Sequence, residues 1–379
     1  MIEVEGFYKE LVKNKINFFT GVPDSLLKDI CAYVSENVAA SSHVIGANEG
    51  SSLGLAVGYH LATNSIPLVY MQNSGFGNII NPLTSLADPE VYSIPMILLI
   101  GWRGEPGVKD EPQHVKQGRV SEKLLESLEI PYSILDSNSN WKEHLLKGIS
   151  IANCEKRPYA FLVRKNAFSS YKLKSTNPFY ELNREDAVKL IINELGDQDI
   201  VVSTTGKTSR EVFEYREQKG MGHQKDFLTV GAMGHASQIA MGIALQKRER
   251  TVVCIDGDGA AIMHLGALTT NGVLNPKNYK HIVINNGAHD SVGGQPTVAF
   301  SASLSDIAKA SGYGYVKCVH KVPDIKKSLK EVLVSKTAAF LEIKVNKGAR
   351  ENLGRPTTTP IENKLSFEDF VRNESSRKI

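Results

Sequence analysis

Val252-Val253-Cys254-Ile255-Asp256-Gly257-Asp258-Gly259-Ala260-Ala261 is the stretch on which the reading of this chain turns. The run Val252–Ile255 is short, apolar and β-branched, as expected of a buried strand. It ends in Gly-Asp-Gly, and small residues suited to a helix start follow. Glycine at a strand end lets backbone N–H groups approach an anion, and the start of the next helix favours negative charge. Asp258 adds a hard oxygen suited to Mg²⁺. A second strand pattern, Ile282-Val283-Ile284-Asn285-Asn286, closes 28 residues after Asp258, a distance that holds one helix and a return strand. Asn286 would give the metal a neutral oxygen, beside the phosphate oxygens that Mg²⁺ commonly keeps among its ligands. Gly-Asp-Gly alone is equally an ordinary turn; its pairing with Asn-Asn, both at strand ends, points to a metal-bridged phosphate.

Working outward, the same strand, glycine loop and helix order recurs. The strand pattern Ile16–Phe19 leads into Gly21-Val22-Pro23-Asp24 and a helix from about Ser25. Leu68–Met71 leads into NSGFGN at 73–78, and Met96–Ile100 into GWRGEPG at 101–107. Further on, Ile200–Ser203 precedes TTGKTS, and Phe340–Lys344 is a late strand. Such alternation builds parallel sheets with ligands at the C-terminal strand ends. Phe7, Leu11 and Val12 mark an N-terminal helix, and Asn183 is placed to cap a helix carrying Ala187, Leu190, Ile191 and Leu195. The 379 residues exceed what one core usually serves. The expected division is a domain at 1–170, a polar linker at 171–182, a second domain at 183–347 and a polar, irregular tail at 348–379. The halves are similar α/β units without a residue-level repeat.

Composition excludes several classes. A net charge of +3 from 44 basic and 41 acidic residues gives no case for nucleic acid or a membrane surface. The four cysteines are scattered without zinc-ligand spacing, and Cys254 reads as a small buried hydrophobe. The opening MIEVEGFYKELVKNK is amphipathic and lacks the apolar core of a signal peptide. No stretch approaches the roughly 18 apolar residues of a membrane span. A reducing cytoplasm is the expected location.

The paired motif resembles that of the thiamin-diphosphate-dependent decarboxylase and acetolactate-synthase superfamily. The resemblance implies an α/β fold of two thiamin-diphosphate-binding domains, each a mostly parallel sheet flanked by helices, the first of the pyrimidine-binding type and the second of the diphosphate-binding type. It implies thiamin diphosphate and Mg²⁺ as cofactors, with Asp258, Asn286 and the carbonyl of Ala288 as metal ligands. Gly257, Gly259, Ala260, Thr205 and Gly206 would line the cofactor. The segment from Ile45 to Tyr59 resembles the family's segment around the glutamate that bonds the cofactor's aminopyrimidine, and it places Glu49 in that role. Read from the residues alone, Glu49 is also a good first-turn acid. Thr229–Ala236 resembles the cofactor-supporting strand, with the Gly231 carbonyl at the amino group and Met233 beneath the thiazolium; a core methionine in a glycine-rich turn is the plainer alternative.

No middle domain separates the halves, as in the two-domain phosphonopyruvate and sulfopyruvate decarboxylases. The stretches Gly101–Arg119, Ser203–Glu211 and Gly287–Thr297 resemble the phosphonopyruvate-decarboxylating branch. That implies decarboxylation of 3-phosphonopyruvate to phosphonoacetaldehyde and CO₂ in phosphonate biosynthesis. An anionic 2-oxo acid needs cationic partners, and Arg103, Lys109, Lys116 and Arg119 fall in one expected loop; each is equally a solvated surface charge. Asp24 and His114 are candidate proton donors, with helix capping and surface exposure as their alternatives. The superfamily builds its site between subunits, so a homo-oligomer is expected, a dimer at least and a tetramer in keeping with it.

Competing functions are sulfopyruvate decarboxylation, carboligation, a non-catalytic cofactor binder and a P-loop nucleotide hydrolase. The last is prompted by Gly206-Lys207-Thr208, but its pattern needs glycine at position 201, which is Val201.

Overall fold

In the computed structural model, which describes residues 1–174 and 178–372, the chain divides into two compact units. The first comprises Met1–Ser175 with Ser291–Gln295, and the second Thr176–Asp290 with Pro296–Ile379. Within the stretches expected as linker and tail, residues 175–177 and 373–379 lie outside the described residues.

The first unit is built on β1 (Phe19–Gly21), β2 (His43–Ile45), β3 (Leu68–Gln72), β4 (Met96–Gly101), β5 (Tyr132–Leu135) and β6 (Pro158–Val163). They pair in the order β2-β1-β3-β4-β6-β5, all parallel. The second unit holds β7 (Ile200–Ser203), β8 (Asp226–Leu228), β9 (Val252–Gly257), β10 (Tyr279–Asn285), β11 (Tyr315–Val319) and β12 (Ala339–Lys344), ordered β11-β12-β10-β9-β7-β8 and again all parallel. Counted from the start of its own unit, each sheet has the order 2-1-3-4-6-5. In both, the first strand lies between the second and the third. The chain therefore leaves it in opposite directions, and a crevice opens at the strand C-termini.

Parallel strands are covered on both faces, which is why they read as continuous apolar runs. Successive residues feed opposite cores. Ile97 and Leu99 of β4 join one cluster, while Met96, Leu98 and Ile100 join the other. In the second unit Val253 and Ile255 face one cluster, and Val252 and Cys254 the other. Cys254 is fully buried and unpaired, as a small hydrophobe should be.

The expected α/β architecture is present, and the differences are local. Pairing of the first strand starts at Phe19 rather than Ile16, because Asn14 and Lys15 close the preceding helix in a turn, with Lys15 at φ 64°. The apolar pattern does not mark β2, β5, β8 and β11, the edge strands of the two sheets, nor the fully buried β6 inside the first sheet. Edges are less buried and carry weaker patterning.

The stretch expected to be an irregular tail contains the helix Pro360–Arg372. Asn363 donates to the Asp226 carbonyl at 2.8 Å and accepts from the Leu228 N–H at 3.2 Å, and Phe367 packs on Phe227. The helix thus occupies backbone groups of β8 that an open sheet edge would expose. Among the described residues no helix is long and apolar enough to cross a membrane.

Candidate functional site

In the second unit β9 ends at Gly257 and a short helix starts at Asp258. Asp256, at the strand end, accepts the Gly257 N–H at 2.9 Å and faces His281 Nε2 at 3.3 Å, which fixes the turn from behind. The Asp258 carboxyl is 2% exposed and takes the Thr297 hydroxyl at 2.5 Å. Among the described residues it forms no ion pair. Burial pushes its pKa from 3.8 up to about 6, against the pull of Thr297 and the backbone N–H groups of Asn286 and Gly259.

Asn286 follows β10 and is buried. Its amide oxygen accepts the Ala288 N–H at 3.1 Å, and its amide nitrogen faces Asp290 Oδ2 at 3.4 Å. Ala288 then bridges antiparallel to Pro296, and the Thr297 N–H reaches the Gly287 carbonyl at 2.9 Å. This return brings Thr297 onto Asp258.

Across the crevice, Gly206 (φ 91°) precedes the helix Lys207–Lys219 and supplies no side-chain cap. The first N–H groups of that helix are therefore left for a ligand. Half-buried Thr205 sits beside it, and Thr204 Cγ2 lies 4.0 Å from where a Cβ on Gly257 would stand.

The segment carrying Gly231 and Met233, expected as a strand, is the loop between β8 and the helix Ala236–Gln246. Ala232 (φ 53°) and Gly234 (φ 87°) turn it. A Cβ on Gly259 would lie 3.3 Å from Met233 Cε and 3.2 Å from the His289 ring, so these groups gather at the Gly-Asp-Gly turn.

A buried carboxylate without a counter-ion, an amide oxygen beside it and an uncapped helix start are what a divalent cation with a diphosphate would complete. The cation would also reverse the upward shift at Asp258. The residues fit the group.

In the first unit Glu49 opens the helix Glu49–Thr63, but Asn48 caps it by accepting the Ser51 N–H at 2.9 Å. Glu49 is 5% exposed. Its Oε2 accepts from Asn78 at 2.6 Å, and a Cβ on Gly75 would fall 2.6 Å from its Cγ. The side chain is thus pinned between two neighbours and is free of capping duty.

Asp24 is fully buried. Oδ2 accepts the Leu26 N–H at 2.8 Å, while Oδ1 has no partner among the described residues. Only glycine fits at 101, since a Cβ there would come within 2.0 Å of Oδ2. Burial raises the carboxyl from 3.8 to about 6, against nearby Arg103. The following helix starts at Lys28, with Leu27 as its cap residue, so Asp24 is not the cap. His114 is buried rather than on the surface, its Nδ1 has no partner among the described residues, and burial with the Arg103 charge lowers its pKa. Arg103 therefore acts electrostatically on both acid–base candidates.

The four cations do not form one loop. Pro112 starts the helix Pro112–Ser127, so Lys116 and Arg119 stand exposed on it, while Lys109 is exposed in the loop before it. Arg103 is engaged along one edge by Asp110 and donates from Nη1 to Ser25 at 2.7 Å. Sequence reasoning passed over Asp110, Asn78, Thr297, His289 and Asp290. Asp110 alone left a signal, as an acid seven residues from Arg103 in a short glycine-proline loop.

Residues 4–125 match the N-terminal TPP binding domain of thiamine pyrophosphate enzymes, and residues 204–343 the C-terminal one. A phosphonopyruvate decarboxylase of Streptomyces viridochromogenes is 33% identical across 93% of this chain and 90% of its own length. One from Streptomyces hygroscopicus is 32% identical across 98% and 94%. The sulfopyruvate decarboxylase subunit beta of Methanocaldococcus jannaschii is 33% identical across 42% of this chain and 86% of its own.

Proposed function

From the premise that this chain belongs to the thiamine pyrophosphate enzyme family, we propose that it decarboxylates 3-phosphonopyruvate to phosphonoacetaldehyde and CO₂, a step of phosphonate biosynthesis. The observation that carries the substrate is the similarity to phosphonopyruvate decarboxylases across nearly the whole chain, rather than across one half.

Asp258, Asn286 and the Ala288 carbonyl would hold Mg²⁺. Gly257, Gly259, Ala260, Thr205, Gly206 and the following helix start would receive the diphosphate, with the Gly231 carbonyl and Met233 against the rings. When bound, thiamin diphosphate supplies the electron sink for the pair that CO₂ leaves behind. Glu49, oriented by Asn78, would hold a proton at the cofactor's pyrimidine edge. Arg103 carries donors beyond those Asp110 and Ser25 use, and with Lys109, Lys116 and Arg119 it would balance the phosphonate. Loss of CO₂ is balanced by one proton delivered to the former carbonyl carbon. Asp24, with a pKa of about 6 and an unpartnered Oδ1, is the favoured donor; His114, its neighbour through Arg103, is the second.

In this reading the first unit is the pyrimidine-binding domain and the second the diphosphate-binding domain. The working molecule is a homo-oligomer in which the Glu49-bearing unit of one subunit serves the Asp258-bearing unit of another. A relative named as a subunit supports an assembly. Four unpaired cysteines suit a cytoplasmic location.

The same relative makes sulfopyruvate the second substrate to weigh. Purified protein with thiamin diphosphate and Mg²⁺ is offered phosphonopyruvate, sulfopyruvate and pyruvate. Fastest aldehyde and CO₂ release is expected from phosphonopyruvate, and faster release from sulfopyruvate would overturn the assignment.

A further inference from the structure

We propose that Asp290 is a positioning residue that sets which end of the Asn286 amide faces the metal; this rests on reading Asp258, Asn286 and Ala288 as the Mg²⁺ ligands. Four residues beyond Asn286, the Asp290 Oδ2 atom collects Arg184 Nη1 at 2.6 Å, the Gly348 N–H at 3.2 Å and Asn286 Nδ2 at 3.4 Å. Its main-chain carbonyl takes Lys207 Nζ at 3.0 Å. Arg184 is 5% exposed and fixed along its other edge by Glu211, at 2.9 and 2.8 Å. Arg184 and Lys207 lie against Glu211 and Asp290, and the contacts from Arg184, Gly348 and Lys207 hold the Asp290 side chain and backbone in a fixed place.

The Arg184–Glu211 fork is complete as a buried pair without Asp290, so the second acid has a further consequence to explain. A carboxylate is only an acceptor, so it can face the NH₂ end of the Asn286 amide and repels the oxygen end. The amide oxygen is thereby turned away from Asp290. One of its lone pairs takes the Ala288 N–H, and the other remains for a cation. A flipped amide would set two N–H donors against the metal. Because the turn carrying Ala288 hangs between Asn286 and Asp290, the same contact also limits where the Ala288 carbonyl can go.

The test measures Mn²⁺ affinity of the full chain by equilibrium dialysis with saturating thiamin diphosphate, alongside melting temperature. Asp290→Ala should weaken Mn²⁺ about tenfold or more, as is typical when a group orienting a metal ligand is lost, with turnover at saturating metal within about threefold of the parent. Asp290→Asn should restore most of the affinity, since all three side-chain contacts use a single oxygen that an amide can supply. Should Asp290→Ala fail to fold, Asp290→Glu, which keeps an anion for Arg184 but displaces that oxygen by a methylene, is expected to weaken Mn²⁺ in the same way. A folded Asp290→Ala protein that binds Mn²⁺ like the parent overturns the proposal, and so does an Asp290→Asn protein as impaired as the alanine variant. Asp258→Ala separates the two readings: if it leaves Mn²⁺ affinity intact, the metal site itself is wrong, and the inference falls with it.

Discussion

The two units share one strand order, 2-1-3-4-6-5, yet their crevice loops carry opposite chemistry. After the first strand stands Asp24 in one unit and Gly206 in the other. After the second come Glu49 and Met233, after the third Asn78 and Asp258, and after the fourth the Arg103–Asp110 and Asn286–Asp290 loops. The first unit buries two acids: Asp24, whose pKa burial raises to about 6, and Glu49, pinned by a neutral amide. The second buries a carboxylate beside oxygen donors and an uncapped helix start, an arrangement suited to a cation and an anion together. The scaffold fixes where loops meet, and the loops decide what they do.

The sharpest way to break this comparison is to exchange the losses. Glu49→Gln should lower turnover by roughly 10²–10⁴-fold while Mn²⁺ affinity in the presence of thiamin diphosphate stays near that of the parent. Asp258→Asn should do the reverse, losing the metal first. A Glu49→Gln protein that loses metal affinity equally would mean that the units do not divide the work.

Next in size is a pH effect that Asp24 produces in the first unit. Asp24 rises from 3.8 to about 6 by burial, so the folded chain holds its proton more tightly than the unfolded chain. That contribution is complete below about pH 4 and is lost as pH rises through 6, amounting to about 3 kcal/mol. Asp24→Asn should therefore raise the urea midpoint of the cofactor-free protein at pH 8 and leave it unchanged near pH 4. Equal midpoints at both pH values would count against a buried, proton-retaining acid.

A smaller effect tests how the Arg103–Asp110 loop is seated. A Cβ on Gly118 would fall 1.7 Å from the Gly104 carbonyl oxygen, a backbone atom that cannot swing away. Gly118→Ala should cost roughly 1–3 kcal/mol and raise KM for the acid. An unchanged KM would separate this loop from substrate binding. A change of similar size concerns the second unit's edge: Asn363→Ala leaves the Asp226 carbonyl and Leu228 N–H without their partner, for about 1–3 kcal/mol in urea denaturation. No change would show that the C-terminal helix is dispensable to β8.

What the sequence determined by itself was whatever repeats over short distances. Apolar runs marked β3, β4, β7, β9, β10 and β12, because burial on both faces leaves little choice of residue, although the equally buried β6 went unmarked. The Asn183 cap was legible because its hydrogen bond to the Asp186 N–H reaches only three residues ahead. Gly-Asp-Gly and Asn-Asn were legible because ligand chemistry restricts both residue type and spacing.

Only the tertiary structure decided that Arg103 is engaged by Asp110, that Asn78 holds Glu49, that Thr297 meets Asp258 and that Asp290 meets Arg184 from 106 residues away. It also turned the polar tail into a helix along β8. These contacts join single polar residues across long loops. A lone Asn, Thr or Asp carries no periodicity, and its partner is set by where the two sheets aim their connections rather than by anything beside it in the chain.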